Sequence, residues 1–159
     1  MFVPLSDDNP LRSIQLQWVT LGLIAANVLG FIWQLTGTAD DRTFSFALIP
    51  AELFQVRIFG GSAKGLHDTV YVPEAATLVS YTFLHGDFWH LFGNMVFLWV
   101  FGDNVEDAMG HVKFLLFYVL CGIAASLAHA AMLPTSTVPL IGASGAVAGV
   151  IAAYLLLHP

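Results

Sequence analysis

Charge is what this sequence has least of. Five Lys or Arg and eleven Asp or Glu make up 10% of its 159 residues, and 57% are hydrophobic. Soluble domains carry roughly 25% charged residues, so most of this chain is expected to lie in lipid. The net charge of −6 offers no cationic surface to phosphates, which argues against nucleic acid as a partner. Cysteine is almost absent. Cys121 stands alone in an apolar run, so no internal disulfide forms, and no Cys/His cluster has zinc spacing. It reads as a small buried hydrophobe. No metal and no cofactor is expected. A basic start is lacking too. Met1 to Arg12 is polar and holds Asp7 and Asp8, so the apolar run that follows is expected to be an uncleaved membrane anchor rather than a signal peptide.

What is present is a series of apolar runs, which predict an all-α, polytopic helical bundle in one domain, residues 1–159. Four spans are expected. The first, about Leu16 to Leu35, is roughly twenty residues without charge. The second runs from about Phe88 to Gly102, with a polar helix entry from Thr77 that could lengthen it. The third is about Val112 to Leu133, with Lys113 placed to snorkel. The fourth, about Ser144 to His158, is short, covering about 22 Å at 1.5 Å per residue. A short span that opens on a serine places the serine below the membrane surface, at the bottom of a wet cavity. Between the first two spans, Gly37 to about Ala76 interleaves Phe44, Phe46, Leu48 and Phe54 with Arg42, Glu52 and Arg57. It reads as a long interfacial loop or as a small exposed subdomain. Gly60 to Gly65 reads as a turn within it. Positive charge is too evenly split between the two sides to orient the chain.

Polarity inside these runs is the second signal. His90 and Asn94 are four apart and share a helix face. An imidazole N–H and an amide NH₂ on one face suit donation to a developing oxyanion; they equally suit an interhelical hydrogen-bond pair that only joins helices. His85 and His90, five apart, make a weak metal pair, with no His-Glu-x-x-His nearby. Gly102-Asp103-Asn104-Val105-Glu106-Asp107-Ala108-Met109-Gly110 reads as the turn between spans two and three. Asp103 and Asp107 read as solvated, and Glu106, flanked by apolar residues, as structural. Ser144 sits in Gly142-Ala143-Ser144-Gly145-Ala146. Small neighbours leave its hydroxyl uncrowded, as a nucleophile needs. Gly145 and Gly149 equally form a small-xxx-small pair for tight helix packing.

Taken together these segments resemble the rhomboid family of intramembrane serine proteases. Pro4-Leu5-Ser6-Asp7-Asp8-Asn9-Pro10, His85-Gly86 through His90-Leu91-Phe92-Gly93-Asn94-Met95, Gly102-Asp103-Asn104-Val105-Glu106-Asp107 with Gly110, and Gly142-Ala143-Ser144-Gly145 are similar to the family's motifs, in order. The resemblance implies a rhomboid-like fold and an intramembrane endopeptidase cleaving transmembrane protein substrates in the lipid bilayer. It implies Ser144 as nucleophile, and His90, Asn94 and the Ser144 N–H as oxyanion donors. Glu106, Gly142 and Gly145 would be structural. The water-filled cavity would open away from the Asp103–His111 turn. Where some members carry an arginine two positions after the turn glutamate this chain has Ala108, and where many carry an aromatic four positions after the nucleophile it has Ala148. In rhomboids the general base is a histidine on the sixth helix. His158 lies fourteen residues along the serine's own helix, about 21 Å away, and His129 would have to fold back. Leu157-His158-Pro159 is therefore expected to be a truncation at a helix end, leaving a chain inactive alone. The alternative is a non-catalytic rhomboid-like protein that binds transmembrane helices. A bacterial inner membrane is the expected location.

Overall fold

The computed structural model describes residues 11, 13–36, 39–59, 70 and 72–157. Pro4 to Pro10, the Gly60–Gly65 turn and His158 lie outside them. Helices follow in the order α1 (Trp18–Leu35), α2 (Ala39–Phe46), α3 (Pro50–Phe59), α4 (Glu74–Ser80), a 3-10 turn (Tyr81–Phe83), α5 (Phe88–Met109), α6 (His111–Met132) and α7 (Ser144–Leu157). Among the described residues there is no strand, only an isolated antiparallel bridge between Leu48 and Leu140. The bundle is all-α. Two helices, α1 and α6, are long and apolar enough to cross a membrane; α7 is apolar but only 14 residues long. Four transmembrane helices, as expected from the sequence, are thus not established by length and composition. Large apolar side chains stand outward on all four long elements, among them Leu29, Trp99, Leu116 and Leu156, which suits lipid rather than water.

The second span differs from its expected form at both ends. It is not lengthened by a continuous helix from Thr77. The chain leaves α4 through the 3-10 turn, runs extended at Leu84, and restarts at Asp87, whose carboxylate accepts the His90 N–H at 2.8 Å. An Asp cap that satisfies an orphan donor starts a new helix there. At the far end, α5 continues through the segment expected to be a turn. Gly102 lies inside the helix, where a Cβ would come within 3.0 Å of Thr20 on α1. Its smallness serves helix approach, not chain reversal. The reversal falls on Gly110 alone, at φ +79°, a conformation that favours glycine.

The acids of that segment then explain how α1 begins. Gln17 supplies no side-chain cap, so the first N–H groups of α1 need acceptors from elsewhere. Glu106, fully buried, supplies them. Its Oε1 accepts the Val19 N–H at 3.0 Å, and its Oε2 accepts the Thr20 N–H at 2.8 Å and the Thr20 hydroxyl at 2.7 Å. His111 Nδ1 meets Oε1 at 2.5 Å. Asp107 is not merely solvated: its Oδ1 accepts the N–H groups of Ser13 and Ile14 at 2.7 and 2.8 Å. A carboxylate at a helix N-terminus is also favoured by the helix dipole.

The segment after α1 forms the two short helices α2 and α3, anchored by Ala47, Leu48, Ile49 and Pro50, all buried. α7 packs on both α5 and α6. Against α6 the seam is built of small residues. A Cβ on Gly145 would come within 2.5 Å of Ala125, and one on Gly149 would strike Cys121. Against α5 the seam is aromatic, with the Phe101 and Tyr154 rings 4.8 Å apart. Close backbone approach of this kind lets apolar helices associate where lipid removes the hydrophobic drive between them.

Candidate active site

The backbone before α7 is pinned before Ser144 is reached. Leu140 exchanges both hydrogen bonds with Leu48, at 2.8 and 3.2 Å, and the Gly142 N–H donates to the Tyr81 carbonyl at 2.9 Å. Tyr81 is buried, and its own hydroxyl donates to the Gly122 carbonyl of α6 at 2.7 Å. Gly142 takes φ +116°. The buried Ala143 then accepts the Val147 N–H at 2.9 Å, which opens α7. Ser144 is therefore the first helical residue and is exposed. Its N–H has no acceptor within the helix and lies at the positive end of the helix dipole.

α5 faces this serine across a cavity of about 350 Å³. The cavity is lined by Ser144, Val147, Ala148 and Ile151 from α7, and by Trp89, His90, Gly93, Asn94 and Phe97 from α5. His90, Asn94 and Ser144 thus open on one space. Asn94 is buried, and one hydrogen of its amide is used by the His90 carbonyl at 3.0 Å. A second amide hydrogen remains available for a ligand. Ala148, where an aromatic is common in the resembling family, forms part of the cavity wall and leaves it wider there.

Gly142 lies against His90. A Cβ on Gly142 would come within 2.6 Å of His90 Cε1 and 2.7 Å of Nε2. Gly142→Ala is accordingly expected to push the His90 ring out of place while straining the positive φ. A misplacement of about 1 Å at a reacting centre can cost ~10²-fold in rate. Turnover of a transmembrane substrate measures this, in a protein that also carries a general base; an unchanged kcat would show that the present His90 position is not used.

Of the other residues singled out from sequence, Gly145 sits one step along α7, turned to α6. Glu106 is sixteen residues from His90 on the same helix, about 24 Å away, and belongs to the opposite end of the bundle. His129 lies in the last turn of α6 and is not among the residues lining the cavity. His85, read in the sequence as half of a weak metal pair and as the first residue of the second-helix motif but given no role, is buried beside the site. Its ring meets that of His90 edge-on, with centroids 5.2 Å apart. It stands in the loop before α5, where burial first and the neighbouring His90 second push its pKa down to about 4. At neutral pH it is uncharged. No group of three or more His, Cys, Asp or Glu able to hold a metal occurs among the described residues. The place of Tyr81, described above, and that of Gln34, described below, were not read from sequence; a glutamine at the end of an apolar span was the available signal for the second.

The Rhomboid domain profile matches residues 72–159, more than half of the chain. The protein belongs to the rhomboid family. It is 36% identical over 104 residues to Rhomboid-like protein 11, chloroplastic, of Arabidopsis thaliana, covering 65% of this chain and 35% of that protein. It is 34% identical over 97 residues to Rhomboid protein 1, mitochondrial, of Saccharomyces cerevisiae, covering 56% and 27%. With Rhomboid protease AarA of Providencia stuartii it shares 28% identity over 153 residues, covering 87% of this chain and 50% of that protein. The chain therefore spans about a quarter to a half of the length of these relatives. No solved structure matches. Members of this family are integral membrane proteins. The relatives' names point to chloroplast, mitochondrion and bacterium alike, so the bacterial inner membrane expected from the sequence is not supported by them.

Proposed function

We propose that this rhomboid chain carries the nucleophile and oxyanion donors of an intramembrane serine endopeptidase acting on transmembrane helices. The observation that supports this most is the meeting of Ser144, His90 and Asn94 on one cavity between α5 and α7. Ser144 Oγ attacks the scissile carbonyl carbon. The carbonyl oxygen takes the negative charge, facing the Ser144 N–H, a His90 ring N–H and the Asn94 amide. Donors held in place before charge develops need little reorganisation, which is why such sites lower barriers. The apolar walls, Trp89, Phe97, Val147 and Ile151, suit a substrate that arrives from lipid. Family names support the chemistry: AarA and its Bacillus subtilis relative GluP are both called rhomboid proteases.

A serine hydroxyl needs a base to take its proton. His90 is the one ionisable side chain lining the cavity among the described residues, and this reading gives it another role. The rhomboid resemblance supports placing that base on a histidine of a later helix. The same observation favours a second reading, in which these residues alone bind transmembrane helices without cleaving them.

A serine-directed fluorophosphonate separates the cases. The 159-residue chain alone is expected not to label. A chain extended by the helices that carry the base is expected to label, and the label to vanish in Ser144→Ala. Labelling of the 159 residues that disappears in Ser144→Ala would place a base among them, with His129 the first to substitute. No labelling of the extended chain would leave the helix-binding reading.

A further inference from the structure

Gln34 is the polar residue least expected where it stands. It ends an apolar α1 span and is only 5% exposed. Polar side chains in such helices face the protein interior and mark functional positions. Its amide reaches across to the loop that launches α5. Gln34 Oε1 accepts the His85 N–H at 2.9 Å, and Gln34 Nε2 donates to the His85 carbonyl at 3.4 Å and to Thr43 Oγ1 at 3.3 Å. One side chain thus satisfies both backbone groups of one buried residue, 51 positions away in the chain. A two-point grip fixes the rotation of the His85 backbone as well as its position.

What His85 does with that fixed position is visible at its ring. It meets the His90 ring edge-on at an interplanar angle of 69°. The His90 ring is bounded on one side by Gly142, its main-chain N–H is held by the Asp87 carboxylate, and His85 bounds the ring on another side. The first two constraints come from the segment before α7 and from the start of α5. The third is tied to α1 through Gln34. Without it the His90 ring would have free space on the His85 side and could rotate about its side-chain bonds.

We propose that Gln34 and His85 are positioning residues for His90: the Gln34 amide clamps the His85 backbone, and the His85 ring holds the His90 ring in the orientation that presents its N–H to the cavity. The inference rests on the reading of His90 as an oxyanion donor. It makes α1, which contributes no residue to the cavity, a determinant of turnover. Neither residue touches substrate, so the effect falls on kcat and not on substrate binding.

Two measurements test it. In the base-containing chain, Gln34→Met keeps length and loses both hydrogen bonds; His85→Ala loses the ring contact; His85→Phe keeps an edge-on ring. Activities are compared in samples shown folded by thermal unfolding. Gln34→Met and His85→Ala are expected to lower kcat about tenfold or more, with KM within about twofold. His85→Phe is expected to recover kcat to within about threefold of the parent. An unchanged kcat in folded Gln34→Met, a loss confined to KM, or a His85→Phe no better than His85→Ala would overturn the proposal. The second measurement needs no activity. In the 159-residue chain with isotope-labelled histidine, the proton Overhauser contact between the His85 and His90 rings is expected in the parent and lost in Gln34→Met. Its persistence at full strength in the variant would overturn the clamp even if the protease reading stands. Its loss would uphold the clamp even if no cleavage is ever observed and the protease reading fails.

Discussion

Replacing Ser144 by alanine is expected to abolish cleavage of a transmembrane substrate while leaving the chain folded. Removing the nucleophile of a serine protease lowers turnover about 10⁶-fold; the residual rate comes from oxyanion donors and binding alone. The fold should tolerate the change for local reasons. Ser144 is exposed and is the first helical residue of α7. The preceding residue, Ala143, opens the helix through its carbonyl. The serine side chain is therefore not the cap, and alanine is the best helix former. Packing of α7 runs through Gly145 and Gly149 against α6, both untouched. The assay is cleavage in proteoliposomes by the chain extended with its base, parent against variant, with unfolding followed in parallel. Undiminished cleavage by Ser144→Ala would remove the serine from the mechanism and with it the reading of the cavity.

The largest expected effect on stability lies at the other end of the bundle. Glu106→Ala deletes the acceptor for two backbone N–H groups and a hydroxyl at the start of α1, and the partner of His111. The carboxylate is fully buried, so water does not replace it without the structure opening. Each buried donor left unsatisfied costs about 1–3 kcal/mol, more beside charge. Breaking a buried charged network costs about 3–5 kcal/mol. Glu106→Ala is thus expected to destabilise the chain by about 3–5 kcal/mol, seen as a lower Tm in detergent and faster proteolysis near α1. Thr20→Val removes only the hydroxyl donor and should cost about 1 kcal/mol. An unshifted Tm in Glu106→Ala would show that α1 does not depend on this cap. Because Glu106 is about 24 Å along α5 from His90, its loss should lower activity only as far as the folded fraction falls.

The site residues are separated in how far the chain alone announces them. His90 and Asn94 were legible as a pair because four-residue spacing on a helix puts two side chains on one face, and that rule needs no partner. Ser144 was legible as an uncrowded serine for a similar local reason: its neighbours are small. Whether its glycines served chemistry or packing was not. In the structure the glycines divide between two neighbours, Gly142 lying against the His90 ring and Gly145 and Gly149 against α6.

Composition and run length, properties of single segments, determined by themselves that the protein is helical, apolar outside and poor in charge. They also placed α1, α6 and α7 within a few residues of where they lie, since apolar runs bounded by polar or turn residues define helices locally. The turn expected at Gly102-Asp103-Asn104, whose residues carry turn chemistry in sequence alone, is instead helix; only α1 reveals that the glycine admits Thr20, that Glu106 caps a distant helix start, and that Asp107 holds the chain before it at Ser13 and Ile14. Chain reversal, caps supplied from another helix, and the cavity shared by α5 and α7 depend on contacts between residues tens of positions apart. Those contacts exist only once the helices have packed, and they decided where Ser144 meets His90 and Asn94 and how Gln34 reaches His85.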